Sequence, residues 1–185
     1  MKTATLVRIA VVTLAMTFAV SLASAQLNSA AQPIALNANL AESLSVGLSA
    51  SAVNFTLVAG SGANAGSTNI TATTTWVLKP GRTAVGIYAY FASSTAALTD
   101  GAGNNIPSAD FFISDNGGAS TALTNSVAFG GGNAGLQLAN VAITGLNKVS
   151  NHTDLMAFNI NLTTLPQLPA ATYTGTLNIQ AQATP

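Results

Sequence analysis

The feature that most constrains the fold of this chain is a period-two alternation of apolar and polar residues. Successive side chains of a strand point to opposite faces, so this alternation is typical of antiparallel strands with one buried face and one solvated face. It is clearest in residues 68–78, 83–91, 154–162 and 172–181. We therefore predict a strand over each of these four segments.

Weaker strand patterns lie over residues 34–40, 44–48, 53–58, 111–114 and 137–144. Clusters of Gly, Asn, Asp and Pro separate the segments, and residues 115–118 (Asp-Asn-Gly-Gly) have the strongest hairpin pattern because Asn and Gly tolerate positive φ. One helical turn is predicted within residues 91–98. Roughly eight or nine short strands with frequent turns predict an all-β fold, a single antiparallel immunoglobulin-like β-sandwich.

Composition excludes several classes of function. The chain of 185 residues has no cysteine, which excludes disulfides, zinc–thiolate sites and thiol catalysis. Only 5% of its residues are charged. The few basic residues form no patch that would attract nucleic acid or anionic lipid, and no motif implies a cofactor. A sparsely charged surface reduces repulsion between copies, so it favours self-association or association with other surface subunits.

The N-terminus has the pattern of an export signal. Lys2 and Arg8 precede an apolar run over residues 9–20, and small residues follow up to Ala25. This order is typical of a cleaved signal peptide, and the run is shorter than the roughly 20 apolar residues of a spanning helix. We predict a signal peptide at 1–25, an N-terminal extension at 26–42, a β-sandwich domain at 43–185 and no transmembrane helix after cleavage. The expected location is the periplasm, the cell surface or the extracellular medium.

Groups suited to catalysis are sparse. His152 is the only histidine and lies between Ser150 and Asp154, but Ser-His-Asp triads are recognised by geometry rather than by adjacency in sequence. The chain has no G-x-S-x-G motif either. We interpret residues 150–154 as a turn that precedes a strand. The acidic residues are scattered, so the sequence predicts a protein that is not an enzyme, with no catalytic or metal-binding residue assigned.

Two loops contain groups that could contact an ion or a phosphate. Residues 100–105, from Asp100 to Asn105, offer one carboxylate and several amides, which suits only weak calcium binding because the alternating acids and the final Glu of an EF-hand are missing. Residues 130–135 are rich in glycine, but the Lys and Ser/Thr of a phosphate-binding loop do not follow. We interpret the second loop as flexible.

Two tyrosines are the best candidates for ligand contact. Tyr88 and Tyr90 lie opposite the apolar face of the predicted strand at 83–91, where their rings would be exposed. Aromatic rings with a polar edge can stack on a sugar while hydrogen bonding to it. Trp76 shares its face with Ile70 and Leu78, so we assign it to the core.

Two segments resemble parts of secreted bacterial fimbrial subunits of the spore coat U, or archaic chaperone–usher, type. Residues 168–179 (LPAATYTGTLNI) are similar to the closing strand of that family, and residues 34–57 are similar to its N-terminal region. The resemblance implies an incomplete sandwich that the N-terminal strand of a neighbouring subunit completes. The inserting side chains would then be those of Ile34, Leu36, Ala38 and Leu40. The chain differs from the family at Ala171, where glycine is usual, and in lacking a cysteine pair.

These observations lead to two hypotheses. The first is an exported, non-catalytic structural or surface-assembly protein, a fimbrial-like subunit that joins its neighbours by β-strand exchange. The second is a monomeric secreted binding module, for carbohydrate or another surface ligand, that uses Tyr88 and Tyr90. The molar mass of the protein in solution distinguishes the two.

Overall fold

The computed structural model describes residues 27–185, so the predicted signal peptide lies outside the described residues. The described part of the chain contains eleven strands and one 3-10 helix, η1 (Ser108–Asp110). The strands are β1 (Ser43–Leu48), β2 (Asn64–Ala65), β3 (Ile70–Val77), β4 (Ala84–Tyr90), β5 (Leu98–Thr99), β6 (Asn105–Ile106), β7 (Phe111–Asp115), β8 (Thr121–Ala122), β9 (Gly135–Ala142), β10 (Val149–Ile160) and β11 (Asn178–Thr184).

Two antiparallel sheets make up the body of the fold. The larger has the order β1-β3-β10-β7-β8, with β2 beside β10, and the smaller has the order β11-β4-β9. Strands β5 and β6 form a separate hairpin. The prediction of an all-β antiparallel sandwich is confirmed, with more strands than expected because four of the eleven are only two residues long.

The core lies between the inward faces of the two sheets. One cluster includes Ile70, Phe111 and Ile160, and a second includes Trp76 and Ile87. The indole Nε1 of Trp76 donates a hydrogen bond to the carbonyl oxygen of Asn147 at 2.8 Å, so its one polar group is satisfied although the side chain is buried. The assignment of Trp76 to the core is confirmed.

The strong strand predictions hold for three of the four segments. Strands β3, β4 and β10 fall on the predicted alternations, and β10 begins earlier than predicted, at Val149. The turn at 115–118 is confirmed: Asn116 and Gly117 both have positive φ, and the Gly118 N–H donates to the Asp115 carbonyl at 2.8 Å. The helical turn predicted within 91–98 is wrong, because these residues are bends and a short strand, and η1 follows later.

Three segments with a strand pattern form no regular strand. They are residues 34–40, residues 53–58 and the first part of the segment predicted at 172–181, which pairs only from Asn178 onward. Strand structure needs a neighbour for its backbone hydrogen bonds as well as alternating side chains, and these segments have no ladder of such bonds. Their positions matter for the candidate site.

The chain divides into two units, residues up to Asn39 and residues 40–185. In the first, residues 27–39 form neither helix nor strand, and their side chains are exposed. The second contains both sheets. Among the described residues, no helix has the length and hydropathy needed to cross a membrane.

Candidate functional site

An open cleft of about 860 Å³ lies in the described part of the chain. It lies beyond the end of edge strand β1 of the larger sheet, at Leu48, and reaches Ile179 of edge strand β11 of the smaller sheet. Two irregular segments form its walls. Residues 50–59, which continue from β1, form the first wall, and residues 168–177, which lead into β11, form the second wall.

Both walls have the side-chain pattern of strands without the pairing of strands. On the first wall, Val53, Phe55 and Leu57 are half-buried and alternate with exposed polar residues. On the second, Tyr173 and Leu177 are half-buried among exposed threonines. Within the described residues each wall makes a single β-bridge, Phe55 with Gly66 on the first and Thr174 with Thr99 on the second.

Apolar residues of the core form the floor of the cleft. These include Phe91, Phe111, Met156, Phe158 and Ile160, each at most 7% exposed. The rings of Phe91 and Phe111 meet edge to face with centroids 5.1 Å apart. The floor is therefore a packed aromatic and aliphatic surface, and its lining has no charged group.

Glycine at position 175 brings the second wall close to the backbone at Ala97, at the start of the β5–β6 hairpin. A Cβ atom there would overlap the carbonyl oxygen of Ala97. The neighbouring Thr174 exchanges two backbone hydrogen bonds of 2.9 Å with Thr99. Only glycine permits this approach of two backbones, so the sequence at 175 determines where the wall lies.

The N-terminal segment carries apolar side chains that remain exposed. Ile34 is 82% exposed, Leu36 90% and Leu40 81%, and Ala38 is exposed as well. These four alternate with Ala35, Asn37 and Asn39, so an extended backbone would place them all on one face. Fully exposed large apolar side chains in regular alternation are unusual on a solvated surface.

The two predicted ligand-contact tyrosines lie on the outer face of the smaller sheet. Tyr88 and Tyr90 are half-exposed on β4, while Val85 and Ile87 point into the core. Phe129, from the loop between β8 and β9, lies between them, with its centroid 5.9 Å from each tyrosine ring. The sequence reasoning missed Phe129, because no alternation marks a loop residue.

His152 does not lie in a turn, as the sequence had suggested, but inside β10. Its Nε2 lies 3.0 Å from Oδ1 of Asp154, whose side chain is completely buried. The segment continues the alternation of β10, so Asp154 faces the core together with Met156 and Phe158. No serine hydroxyl in the described residues hydrogen-bonds to the imidazole, so this pair lacks the nucleophile of a triad.

A second carboxylate lies near this pair. Asp115 on β7 is opposite Met156 in the register of β7 and β10. Burial raises the pKa of Asp115, and the charge of Asp154 raises it further. Burial likewise raises the pKa of Asp154, against the opposing effect of His152. Among the described residues no group of three His, Asp or Glu side chains could hold a metal ion.

The carboxylate of Asp100, considered above for weak calcium binding, is engaged within its own loop. Asp100 Oδ1 accepts hydrogen bonds from the backbone N–H of Ala102 and Asn104, and Oδ2 accepts one from Asn104 Nδ2 at 2.6 Å. These bonds, above all that from Asn104 Nδ2, lower the pKa of Asp100. The carboxylate therefore shapes the turn between β5 and β6.

Comparisons with protein-family models, with curated proteins and with solved structures find no match to this chain. The candidate function therefore depends on the geometry of the cleft and the outer sheet face.

Proposed function

We propose that this protein is an exported, non-catalytic structural subunit that assembles with other copies of itself by β-strand exchange. In this proposal the N-terminal segment of one copy, residues 34–40, occupies the cleft of another. The single observation that carries the proposal is the presence of three strand-patterned segments that form no β-ladder with the described residues. Two of them line the cleft, and the third has its apolar side chains exposed.

The chemistry of the cleft and the segment is complementary. The floor and the inward side chains of the walls are apolar, and Ile34, Leu36 and Leu40 offer apolar side chains on one face. The polar face of the segment, with Asn37 and Asn39, would remain in water. An extended segment between the walls would also supply backbone hydrogen bonds to both, which is β-strand addition at exposed edges.

Chain connectivity favours insertion into another copy. Only residues 41 and 42 separate Leu40 from β1, and the cleft begins at the far end of β1, at Leu48. If the segment folded back on its own chain through so short a link, it would run antiparallel beside β1. Residue 34 would then lie about level with Leu48, at the start of the cleft. The apolar positions 36–40 would then lie outside the cleft, whereas a second copy has no such restriction.

Three further observations from the sequence support this function. The pattern of residues 1–25 supports export, and the segments 34–57 and 168–179 resemble fimbrial subunits of the spore coat U type. The low charge, 5% of the residues, favours close contact between copies. The described residues present a His–Asp pair but no nucleophile beside it, which is in keeping with a structural role.

The test compares charge placed on the two faces of the N-terminal segment in the mature chain. Leu36→Asp puts a carboxylate on the inserting face, and Asn37→Asp puts the same charge on the adjacent outward position. We expect Leu36→Asp to remain monomeric in size-exclusion chromatography with light scattering, while Asn37→Asp forms multimers like the unmodified chain. Equal behaviour of the two variants contradicts insertion of this face.

A mixing experiment separates the segment from the cleft. Val53→Asp places a charge in the cleft, and Thr56→Asp is its control, because Thr56 is exposed and does not line the cleft. We expect Val53→Asp and Leu36→Asp each to be monomeric alone and to form a heterodimer when mixed, because one keeps a working segment and the other a working cleft. A mixture that stays monomeric, or a Val53→Asp chain that polymerises alone, rejects the proposed pairing.

A further inference from the structure

The outer face of the smaller sheet carries an ordered aromatic surface that strand exchange does not use. Tyr88 and Tyr90 lie on β4 with Phe129 between them. Two glycines make room for the tyrosine rings. A Cβ atom at Gly86 would overlap the ring and hydroxyl of Tyr88, and a Cβ atom at Gly130 would overlap the ring of Tyr90. Each tyrosine ring is therefore packed against backbone at a glycine.

Amide side chains flank these rings on both sides. In the register of the sheet, Gln137 of β9 and Gln180 of β11 lie opposite Tyr88 from the two neighbouring strands. Directly opposite residues share a face, so both amides stand on the outer surface with the ring. Asn178, Gln182 and Asn140 extend the two rows in the same registers.

One amide is already oriented by the aromatic surface. The Tyr90 hydroxyl donates a hydrogen bond to Gln180 Oε1 at 2.7 Å. This bond directs the Gln180 NH₂ group, which is a donor, away from the tyrosine. On the other side, Tyr88 and Gln137 line a shallow depression of about 550 Å³ together with residues 125–128.

The surface carries no ionic charge. Strands β4, β9 and β11 contain no Asp, Glu, Lys or Arg, and neither does the loop at 123–134 that supplies Phe129. A ligand for this face is therefore itself neutral, with apolar C–H faces for the rings and hydroxyl groups for the amides. Preformed aromatic surfaces with a few well-placed polar groups are typical of small-molecule sites, and amides both donate and accept hydrogen bonds.

We propose that the outer face of β11-β4-β9 binds a neutral oligosaccharide. Tyr88, Phe129 and Tyr90 provide the stacking surface, and Gln137 and Gln180 hydrogen-bond to sugar hydroxyls. The site lies within one copy and does not depend on strand exchange. In an assembly it would be repeated once per subunit, so that a polysaccharide could bind several copies with increased avidity.

The test measures binding of defined hexasaccharides to the mature chain by saturation-transfer NMR and titration calorimetry. The probes are cellohexaose, maltohexaose and chitohexaose, with hexagalacturonate as an anionic comparison. We expect at least one neutral hexasaccharide to bind more tightly than the anionic one. We expect Tyr88→Ala to weaken that binding by about two- to tenfold, because a stacked aromatic pair contributes about 0.5–1.5 kcal/mol.

Two further variants distinguish the stacking surface from general effects. Gly86→Ala keeps every aromatic ring but displaces that of Tyr88, so binding should weaken as in Tyr88→Ala. Phe112→Ala removes a half-buried ring from the larger sheet and should leave binding unchanged. If no neutral probe binds, the proposal is wrong. It is also wrong if binding survives Tyr88→Ala combined with Tyr90→Ala. Repeating the titration with Leu36→Asp monomers keeps a failure of assembly distinct from a failure of binding.

Discussion

Replacing the buried carboxylate Asp154 by asparagine should stabilise this protein at neutral pH. Asp154 is completely buried, and its Oδ2 has no hydrogen-bond partner in the described residues. Burial raises its pKa, and its charge also raises the pKa of Asp115. Asparagine keeps an oxygen that can accept a hydrogen bond from His152, and it removes the charge. The cost of burying that charge and its repulsion of Asp115 are therefore both relieved.

The sign of the pH dependence follows from the raised pKa. A carboxyl group whose pKa is higher in the folded state favours folding when protonated, so its contribution is complete below the ordinary pKa of about 4. The contribution is lost as the pH rises through the folded-state pKa, by up to about 1.4 kcal/mol per pH unit for each carboxyl group. We therefore expect Asp154→Asn to match the parent near pH 3 and to exceed it at pH 7.

The expected gain at pH 7 comes from removing the buried charge and is about 1.4 kcal/mol for each unit by which folding raises the pKa of Asp154, since the amide Nδ2 takes the place of Oδ2 and gains no partner. For a chain of this size that corresponds to a rise in Tm of roughly 2–4 °C per kcal/mol. Urea unfolding followed by the fluorescence of Trp76, the only tryptophan, measures the free energy of unfolding. Both chains carry Leu36→Asp, so that assembly does not add to stability.

The opposite result would refute the reasoning. If the parent gains stability as the pH rises from about 4 to 6 and Asp154→Asn is less stable at pH 7, then the ion pair of His152 and Asp154 outweighs the cost of burial. In that case the 3.0 Å contact would stabilise the fold.

Three other changes test separate parts of the structure. Asp100→Asn should destabilise the fold at pH 7 and do so less as the pH falls through the folded-state pKa, because the lowered pKa of Asp100 means that its ionised form favours folding above the unfolded pKa; urea titrations over a range of acidic pH values and at pH 7 check this. Gly175→Ala should cost about 1–3 kcal/mol by overpacking against Ala97 and should also weaken assembly, as measured by thermal unfolding and light scattering. Trp76→Phe should cost about 1–3 kcal/mol, because the smaller ring leaves part of the core unfilled and the hydrogen bond to the half-buried carbonyl of Asn147 is lost; unfolding followed by circular dichroism checks it.

The strand predictions show what local pattern can and cannot establish. The predictions of β3, β4 and β10 were correct because each strand has one face against the core. A strand of this kind needs apolar residues at every second position, and the sequence shows that spacing directly. The same pattern at 53–58 and 172–177 predicted strands that do not form a ladder. The difference lies in the neighbours, since a ladder needs a second backbone at hydrogen-bonding distance.

The candidate sites divide in the same way. The sequence identified Ile34, Leu36, Ala38 and Leu40 as an apolar face, because alternation is local. It also placed Tyr88 and Tyr90 on a surface. It did not show that Phe129 lies between the tyrosines, since a loop residue reaches its neighbours only through the path of the folded chain.

The alternation within β10 also marked Asp154 as inward-facing, because it shares the parity of Met156 and Phe158. The interpretation of residues 150–154 as a turn left this alternation out, so the buried position of Asp154 was not predicted. The proximity of Asp115 could not be read in this way, since it depends on the pairing of β7 with β10.

By itself, the sequence determined the all-β class, the antiparallel pattern and the sparse charge, because these follow from residue types and their spacing along the chain. Only the tertiary structure decided that two of the strand-patterned segments line an open cleft and that aromatic rings and amides share one outer face. Such features depend on strand order and register, which bring together residues that are distant in sequence and that no local pattern relates.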